Sequence, residues 1–229
     1  MSHISRLTMK ICIPIQAKTQ KEALKMLEKA KCKADMAEIW LDHIKDLDIF
    51  ELLKNKSMPV ICVCKKLSDK GKFKGGYAEM ADVLMEAAKC GADYIDIPFS
   101  MTNDQTPMTN YGRSKIIISN HNFKKTPSIK KMMEMAKDMK SRGADIVKIS
   151  VMAKSLNDTL SVILLAQQLQ VVKIPHILIA MGKKGILSRV LTPFLGGTIM
   201  FAPLSKQNSS ASGQLTVKEL RGAWGLIKE

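Results

Sequence analysis

A lysine set in the middle of an apolar run is the residue whose chemistry is easiest to state. Lys148 lies in Asp145-Ile-Val-Lys-Ile-Ser150, a stretch that reads as a β-strand covered on both faces, where a solvent-facing ammonium is out of place. Ile146, Lys148 and Ser150 share one face by the period-2 geometry of a strand. If that face points into a barrel, burial disfavours the ammonium and lowers its pKa. Bringing a lysine from about 10.4 to neutrality near pH 7 takes about 4 kcal/mol of desolvation and like-charge repulsion. An amine so prepared attacks a ketone to form an imine. A salt-bridged barrel lysine fits the same spacing equally well.

His121 follows an earlier apolar run, in Ile118-Ser-Asn-His-Asn-Phe123, and shares a face with Ser119. Neighbouring strands lie about 4.8 Å apart, so residues at the ends of successive barrel strands can touch. Imidazole titrates near neutrality and can both take and return a proton. Arg189, eight residues beyond Met181, is a guanidinium able to hold a carboxylate through two parallel hydrogen bonds. The segment from Ser205 to Gln214 is rich in hydroxyls and amides, Ser210 and Gln214 among them. Taken alone, Arg189 and that segment read as ordinary loop residues. Glu38 shares a face with Trp40 and Asp42 and is placed to orient substrate hydroxyls. Of the other histidines, His43 follows a strand end, His176 opens a strand at the opposite barrel face, and His3 is terminal.

Eight short apolar runs must position these groups: 9–15, 37–42, 59–64, 93–97, 115–119, 145–150, 176–181 and 198–202. Between them lie stretches of helical periodicity near 19–32, 46–55, 76–90, 127–141, 156–170, 185–192 and 217–227. Gly91-Ala92-Asp93 and Gly143-Ala144-Asp145 each close a helix with glycine before a strand opens. Eight strands alternating with helices predict an α/β protein, a (β/α)8 TIM barrel, as one catalytic domain over 1–229. No Gly-x-Gly-x-x-Gly follows the first strand to favour a doubly wound sheet. In a barrel, chemistry gathers at the C-terminal ends of the strands. Lys148, His121, Arg189, Glu38, Ser210 and Gln214 all sit late in a run or in the loop after it.

Composition sets the outer bounds. The chain has 229 residues, 46% hydrophobic and 25% charged, which excludes disordered, collagen-like and mucin-like classes. No apolar run is long enough to span a membrane and the first residues lack a secretory signal, so a cytoplasmic location is expected. Five cysteines (Cys12, Cys32, Cys62, Cys64, Cys90) suit reduced thiols better than a disulfide framework, and none has zinc-ligand spacing. The formal charge is +15, but only five of the 36 basic residues are arginine. Scattered lysine with few aromatics argues against a nucleic-acid reader and leaves steering of a small anion open.

The residues taken as a set resemble the type I 3-dehydroquinate dehydratases, Schiff-base dehydratases of the shikimate pathway. Ser119-Asn-His-Asn-Phe-Lys-Lys-Thr-Pro127 is similar to that family's catalytic-histidine segment and Ala144-Asp-Ile-Val-Lys-Ile-Ser-Val-Met152 to its imine-lysine strand. Met181-Gly, Ser188-Arg189 and Ser210-Ala-Ser-Gly-Gln214 match its carboxylate-binding arginine and closing loop. The resemblance implies that Lys148 forms an imine with the C3 ketone of 3-dehydroquinate and that His121 moves the C2 proton. It also implies that Arg189, Ser210 and Gln214 hold the carboxylate, with Glu38 and Lys65 as further substrate contacts. Neither metal nor dissociable cofactor is implied; the partner is a small molecule rather than nucleic acid or membrane, and the assembly a homodimer. Three positions depart from the pattern: Trp40 and Lys65 stand where the family has arginines, and Lys74 where it has the glutamate that partners the histidine. Asp69 or Glu79 is available to stand in for that glutamate; otherwise weakened turnover or a slightly different substrate is expected. The competing readings are another imine-forming, class I aldolase-like barrel, and a weakened barrel that binds anions.

Overall fold

The computed structural model describes residues 9–102, 111–209 and 211–228. Eight strands follow in chain order: β1 (Lys10–Ile15), β2 (Met36–Trp40), β3 (Val60–Val63), β4 (Tyr94–Pro98), β5 (Lys115–Asn122), β6 (Ile146–Met152), β7 (His176–Met181) and β8 (Ile199–Phe201). Each coincides with one of the eight expected runs. All pair in parallel, in the order β7-β6-β5-β4-β3-β2-β1-β8. The ring closes between β7 and β8 through a bridge from His176 to Gly197, with Thr198 N donating to His176 O at 2.9 Å. This is the (β/α)8 barrel that the alternation predicts.

Seven helices wrap the ring: α1 (Gln20–Ala30), α2 (Ile49–Leu53), α3 (Tyr77–Lys89), α4 (Ile129–Ser141), α5 (Leu156–Val171), α6 (Ile186–Leu191) and α7 (Val217–Lys228). Their starts are set by side-chain caps on otherwise orphaned amides. Thr19 accepts from Glu22 N, Asp48 from Glu51 N and Ser128 from Lys131 N, while Ser155 and Asp158 form a reciprocal capping box. The Asp48 cap is also why α2 is shorter than the stretch expected over 46–55: its extended backbone keeps the helix from starting earlier.

The Gly-Ala-Asp signatures have a second use. Asp93 and Asp145 accept the amides of Val60 and Ile116 on the preceding strand at 2.8 and 2.7 Å, and Asp35 accepts Ile11 N at 2.7 Å. Three carboxylates thus fasten successive strands at the N-terminal rim.

Packing separates the two faces of each strand. Outward residues such as Ile13, Ile39, Cys62, Ile95, Val147 and Leu178 meet the helices, whereas Cys12, Met36, Ile61, Ile117, Ile177 and Phe201 fill the ring. The five cysteines are free thiols. Burial, with Asp93 for Cys62 and Asp42 for Cys64, pushes these two thiols up to about 12, so they remain protonated packing groups. Among the described residues no helix is long and apolar enough to cross a membrane.

Candidate active site

The lower barrel interior is apolar; its polar residues collect toward the C-terminal mouth. Lys148 points inward from β6 and is 5% exposed. Its Nζ lies 2.9 Å from Glu38 Oε1 on β2, 2.8 Å from Asp96 Oδ2 on β4, and 4.3 Å from the ring centroid of Phe201. The other oxygen of Asp96 accepts from Lys65 Nζ and from Ser119 Oγ. Lys65 Nζ also donates to Ser119 Oγ at 2.8 Å, and Trp40 Nε1 donates to Glu38 Oε2 at 3.0 Å. Two ammonium groups and two carboxylates therefore share one buried network, and their formal charges cancel.

That network overturns the expectation of a resting, uncharged amine. Burial does work against the ammonium, but Asp96 and then Glu38 outweigh it, by charge and by hydrogen bonding, and the Lys148 pKa is raised. Asp96 is held well below the carboxylate range: burial opposes ionisation, and the charges of Lys148 and Lys65 overcome it. The lysine is dry but paired, the salt-bridged alternative that spacing leaves open. Lys65, at 2% exposure, holds Asp96 and Ser119 and is not among the residues that line the cavity.

β5 extends to Asn122, three residues past its expected end, because its ladder with β6 continues through His121↔Ser150 and Asn122↔Val151. Ser119 pairs with Lys148 in the same ladder, so His121 is one inward position further toward the mouth on the adjacent strand. Its ring stacks on Phe123 with centroids 5.8 Å apart. Burial first, then the charges of Lys65 and Lys148, push its pKa down to about 3; Asp96 opposes them and Lys70 adds to them. His121 is therefore a neutral imidazole at physiological pH, with a free lone pair whose basicity the two neighbouring ammonium groups weaken.

The carboxylate beside His121 is Asp69, whose Oδ1 lies 3.9 Å from Nδ1. That distance allows ion pairing with an imidazolium but is too long for a hydrogen bond. Burial raises the Asp69 pKa, against the pull of Lys65. Lys74 is exposed and is not among the residues that line the cavity, and Glu79 is spent on its own helix, accepting Gly76 N at 2.6 Å. Of the two stand-ins considered for the family glutamate, Asp69 is the one that lies beside His121.

Arg189 occupies the β7–β8 side of the mouth, on α6. This helix is pulled tight against β7: Ser188 Oγ accepts Ala180 N at 3.0 Å and donates to Gly185 O, and a Cβ at Gly185 would lie 2.0 Å from Ala180 O. The guanidinium is 1% exposed, and its Nε, Nη1 and Nη2 have no hydrogen-bond partner among the described residues. Burial alone lowers its pKa to about 10, so it stays charged. Gln214 reaches the same cavity, its Oε1 accepting from Ser209 Oγ at 3.0 Å and Ala211 N at 3.3 Å. Its loop is stitched to the β7 loop by Gly182 N donating to Ser212 O at 3.1 Å. Gly213, at φ +79°, lies where a Cβ would be 2.3 Å from Gly182 O. Ser210 lies outside the described residues.

Lys148, His121, Glu38, Arg189 and Gln214 thus line one cavity, walled by Trp40, Phe123, Met181 and Phe201. His43 lies outside it, edge-on to Trp40, and His176 is buried at the opposite end with Nδ1 2.9 Å from Ile174 O. Sequence reasoning missed Asp96. The signal was present in Asp93-Tyr-Ile-Asp-Ile97: a carboxylate inside a doubly covered strand is as anomalous as the lysine.

A paired lysine, a neutral imidazole and a guanidinium unpaired among the described residues stand together at the mouth of a parallel barrel, the groups that an imine-forming barrel enzyme requires. Comparison with known proteins narrows the class. The type I 3-dehydroquinase family model matches residues 11–229, and the chain belongs to that family. It is 34% identical over 211 residues to the 3-dehydroquinate dehydratase of Dehalococcoides mccartyi, covering 92% of each chain. It is also 31% identical over 218 residues to the chloroplastic bifunctional 3-dehydroquinate dehydratase/shikimate dehydrogenase of Arabidopsis thaliana, where it spans only 36% of the longer protein. The crystal structure of 3-dehydroquinate dehydratase from Geobacillus kaustophilus superposes with a TM-score of 0.86 at 23% identity, covering 96% of this chain and 91% of that one.

Proposed function

We propose that this chain is a 3-dehydroquinate dehydratase, a hydro-lyase that eliminates water from 3-dehydroquinate to give 3-dehydroshikimate through an imine on Lys148. The observation that carries the reading is Arg189, a buried guanidinium with none of its nitrogens paired among the described residues, opening onto the cavity that holds Lys148 and His121. An unpaired buried charge is costly, and a substrate carboxylate relieves that cost through two charge-assisted hydrogen bonds. Gln214 and Ser210 complete the carboxylate contacts.

The chemistry follows from the charges. Lys148 must lose a proton before it attacks the C3 ketone; neutral His121, on the adjacent strand, is the base within the site. The amine adds to C3, and the resulting hydroxyl takes that proton back from His121 and leaves as water, which gives the iminium and restores the neutral imidazole. Its positive nitrogen withdraws electrons, so a C2 proton can move to His121 while the electron pair enters the conjugated system. His121 then returns the proton to the departing C1 hydroxyl, which leaves as water, and hydrolysis of the imine restores Lys148. Glu38 and Asp96 balance the positive nitrogen both as ammonium and as iminium. We carry forward a cytoplasmic homodimer as the working assembly, to be checked by light scattering.

Borohydride reduction with and without 3-dehydroquinate, followed by peptide mapping, tests the reading. A substrate adduct on Lys148 supports it. Adducts formed only with other carbonyl compounds would transfer the site to the aldolase-like class. Salt-dependent retention on DNA without dehydratase activity would favour a weakened anion-binding barrel.

A further inference from the structure

We infer that Lys70 is a further substrate-contacting residue of this site, a donor to ring hydroxyls remote from the carboxylate; this rests on the dehydratase reading above. Lys70 follows a 3-10 turn over Leu67–Asp69 and adopts the left-handed conformation, φ 63° and ψ 18°. The turn enforces it: Lys70 N donates to Leu67 O at 3.1 Å and Gly71 N to Lys66 O at 2.9 Å. Glycine or asparagine would occupy such a position with less strain. Strain held at a cavity rim is a reason to ask what the side chain does there.

Its ammonium lies 4.6 Å from the centroid of Phe123, the ring stacked on His121, and Lys70 lines the cavity that contains Lys148. The Lys70 ammonium makes no hydrogen bond or ion pair among the described residues. Two anchors fix how the substrate sits. Its ketone carbon must reach Lys148 on β6, and its carboxylate must reach Arg189 beyond β7. The hydroxyl-bearing far side of the ring then faces the wall formed by β2 and the loop after β3. Donors on that wall are already engaged: Trp40 Nε1 by Glu38, and Lys65 Nζ by Asp96 and Ser119. Lys70 is the cation there with donors to spare, held near its target by the face of Phe123. Its charge also contributes to the low pKa of His121.

The test compares wild type, K70G and K70R by thermal melting, steady-state kinetics with 3-dehydroquinate, and borohydride trapping. K70G should melt at or above the wild-type temperature because the strain is relieved, yet its KM should rise tenfold or more, the loss of a charge-assisted contact. Lys148 should still be trapped at saturating substrate. K70R keeps the cation and should hold KM within a few-fold. The acid limb of kcat/KM should move to higher pH in K70G, which a purely structural lysine would not cause. Wild-type KM and kcat in K70G would overturn the inference while leaving the dehydratase standing. Absence of any wild-type adduct on Lys148 would overturn both.

Discussion

Replacing Arg189 by methionine should make the empty protein more stable and the enzyme far worse. Methionine has similar reach without charge, and the position is 1% exposed with three nitrogens unpaired among the described residues. Removing an uncompensated buried charge returns about 1–3 kcal/mol of desolvation cost. For a chain of this size that corresponds to a rise of about 2–12 °C in melting temperature. Binding moves the opposite way. Two charge-assisted hydrogen bonds to a carboxylate at about 1.5–3 kcal/mol each amount to about 3–6 kcal/mol. At 1.36 kcal/mol per decade, kcat/KM falls by about 10²–10⁴. Scanning fluorimetry of the ligand-free protein gives the first quantity, and ultraviolet detection of the conjugated product gives the second. Wild type should also gain melting temperature with added substrate, whereas R189M should not. A variant that melts lower than wild type, or keeps kcat/KM within threefold, would refute the assignment of Arg189 as a guanidinium waiting for an anion.

Asp96→Asn leaves Lys148 and Lys65 short of a carboxylate and should cost about 3–5 kcal/mol, read as a lower denaturant midpoint; the pH at which Lys148 is half-trapped by borohydride should also fall. His121 has a folded pKa of about 3 against about 6.5 unfolded, so the unfolded chain binds the extra proton between those values. Stability should therefore drop as pH falls below 6.5, by about 2 kcal/mol at pH 5, and H121Q should abolish that part of the slope in urea titrations. Asp69→Asn should lower kcat about tenfold, a fraction of the 10²–10⁴ a positioned base supplies, whereas Lys74→Glu should leave the pH–rate profile unchanged. A K74E profile that shifts would return the histidine's partner to the position suggested by the resemblance.

Much of this architecture is readable from one chain because buried parallel strands impose a simple pattern. Each of the eight apolar runs became a strand, and the glycine and capping residues marked helix limits within a few positions. Lys148 and His121 stood out because charge and imidazole are anomalous in such runs. Pairing across the barrel is what the one-dimensional pattern could not supply. Glu38, Asp96 and Lys148 are separated by 110 and 52 residues along the chain, and only closure of the ring brings them within hydrogen-bond distance. For that reason the direction of the Lys148 shift came out reversed. The position of Asp69 depended similarly on a tight turn after β3, whose Lys66-to-Gly71 hydrogen bond brings its side chain back toward the mouth.

The way the ring closes distributes stiffness unevenly. β5 and β6 are laddered from Ile117↔Ile146 to Asn122↔Val151, whereas β7 meets β8 through one bridge at the rim opposite the mouth. Lys148 and His121 ride on the first pair; Arg189 on α6 and Gln214 in the loop after β8 flank the second. The groups proposed to make bonds are thus mounted on a continuous ladder, and those proposed to grip the ligand lie beside the thinnest seam. Amides of β8 should exchange with deuterium well before those of β6.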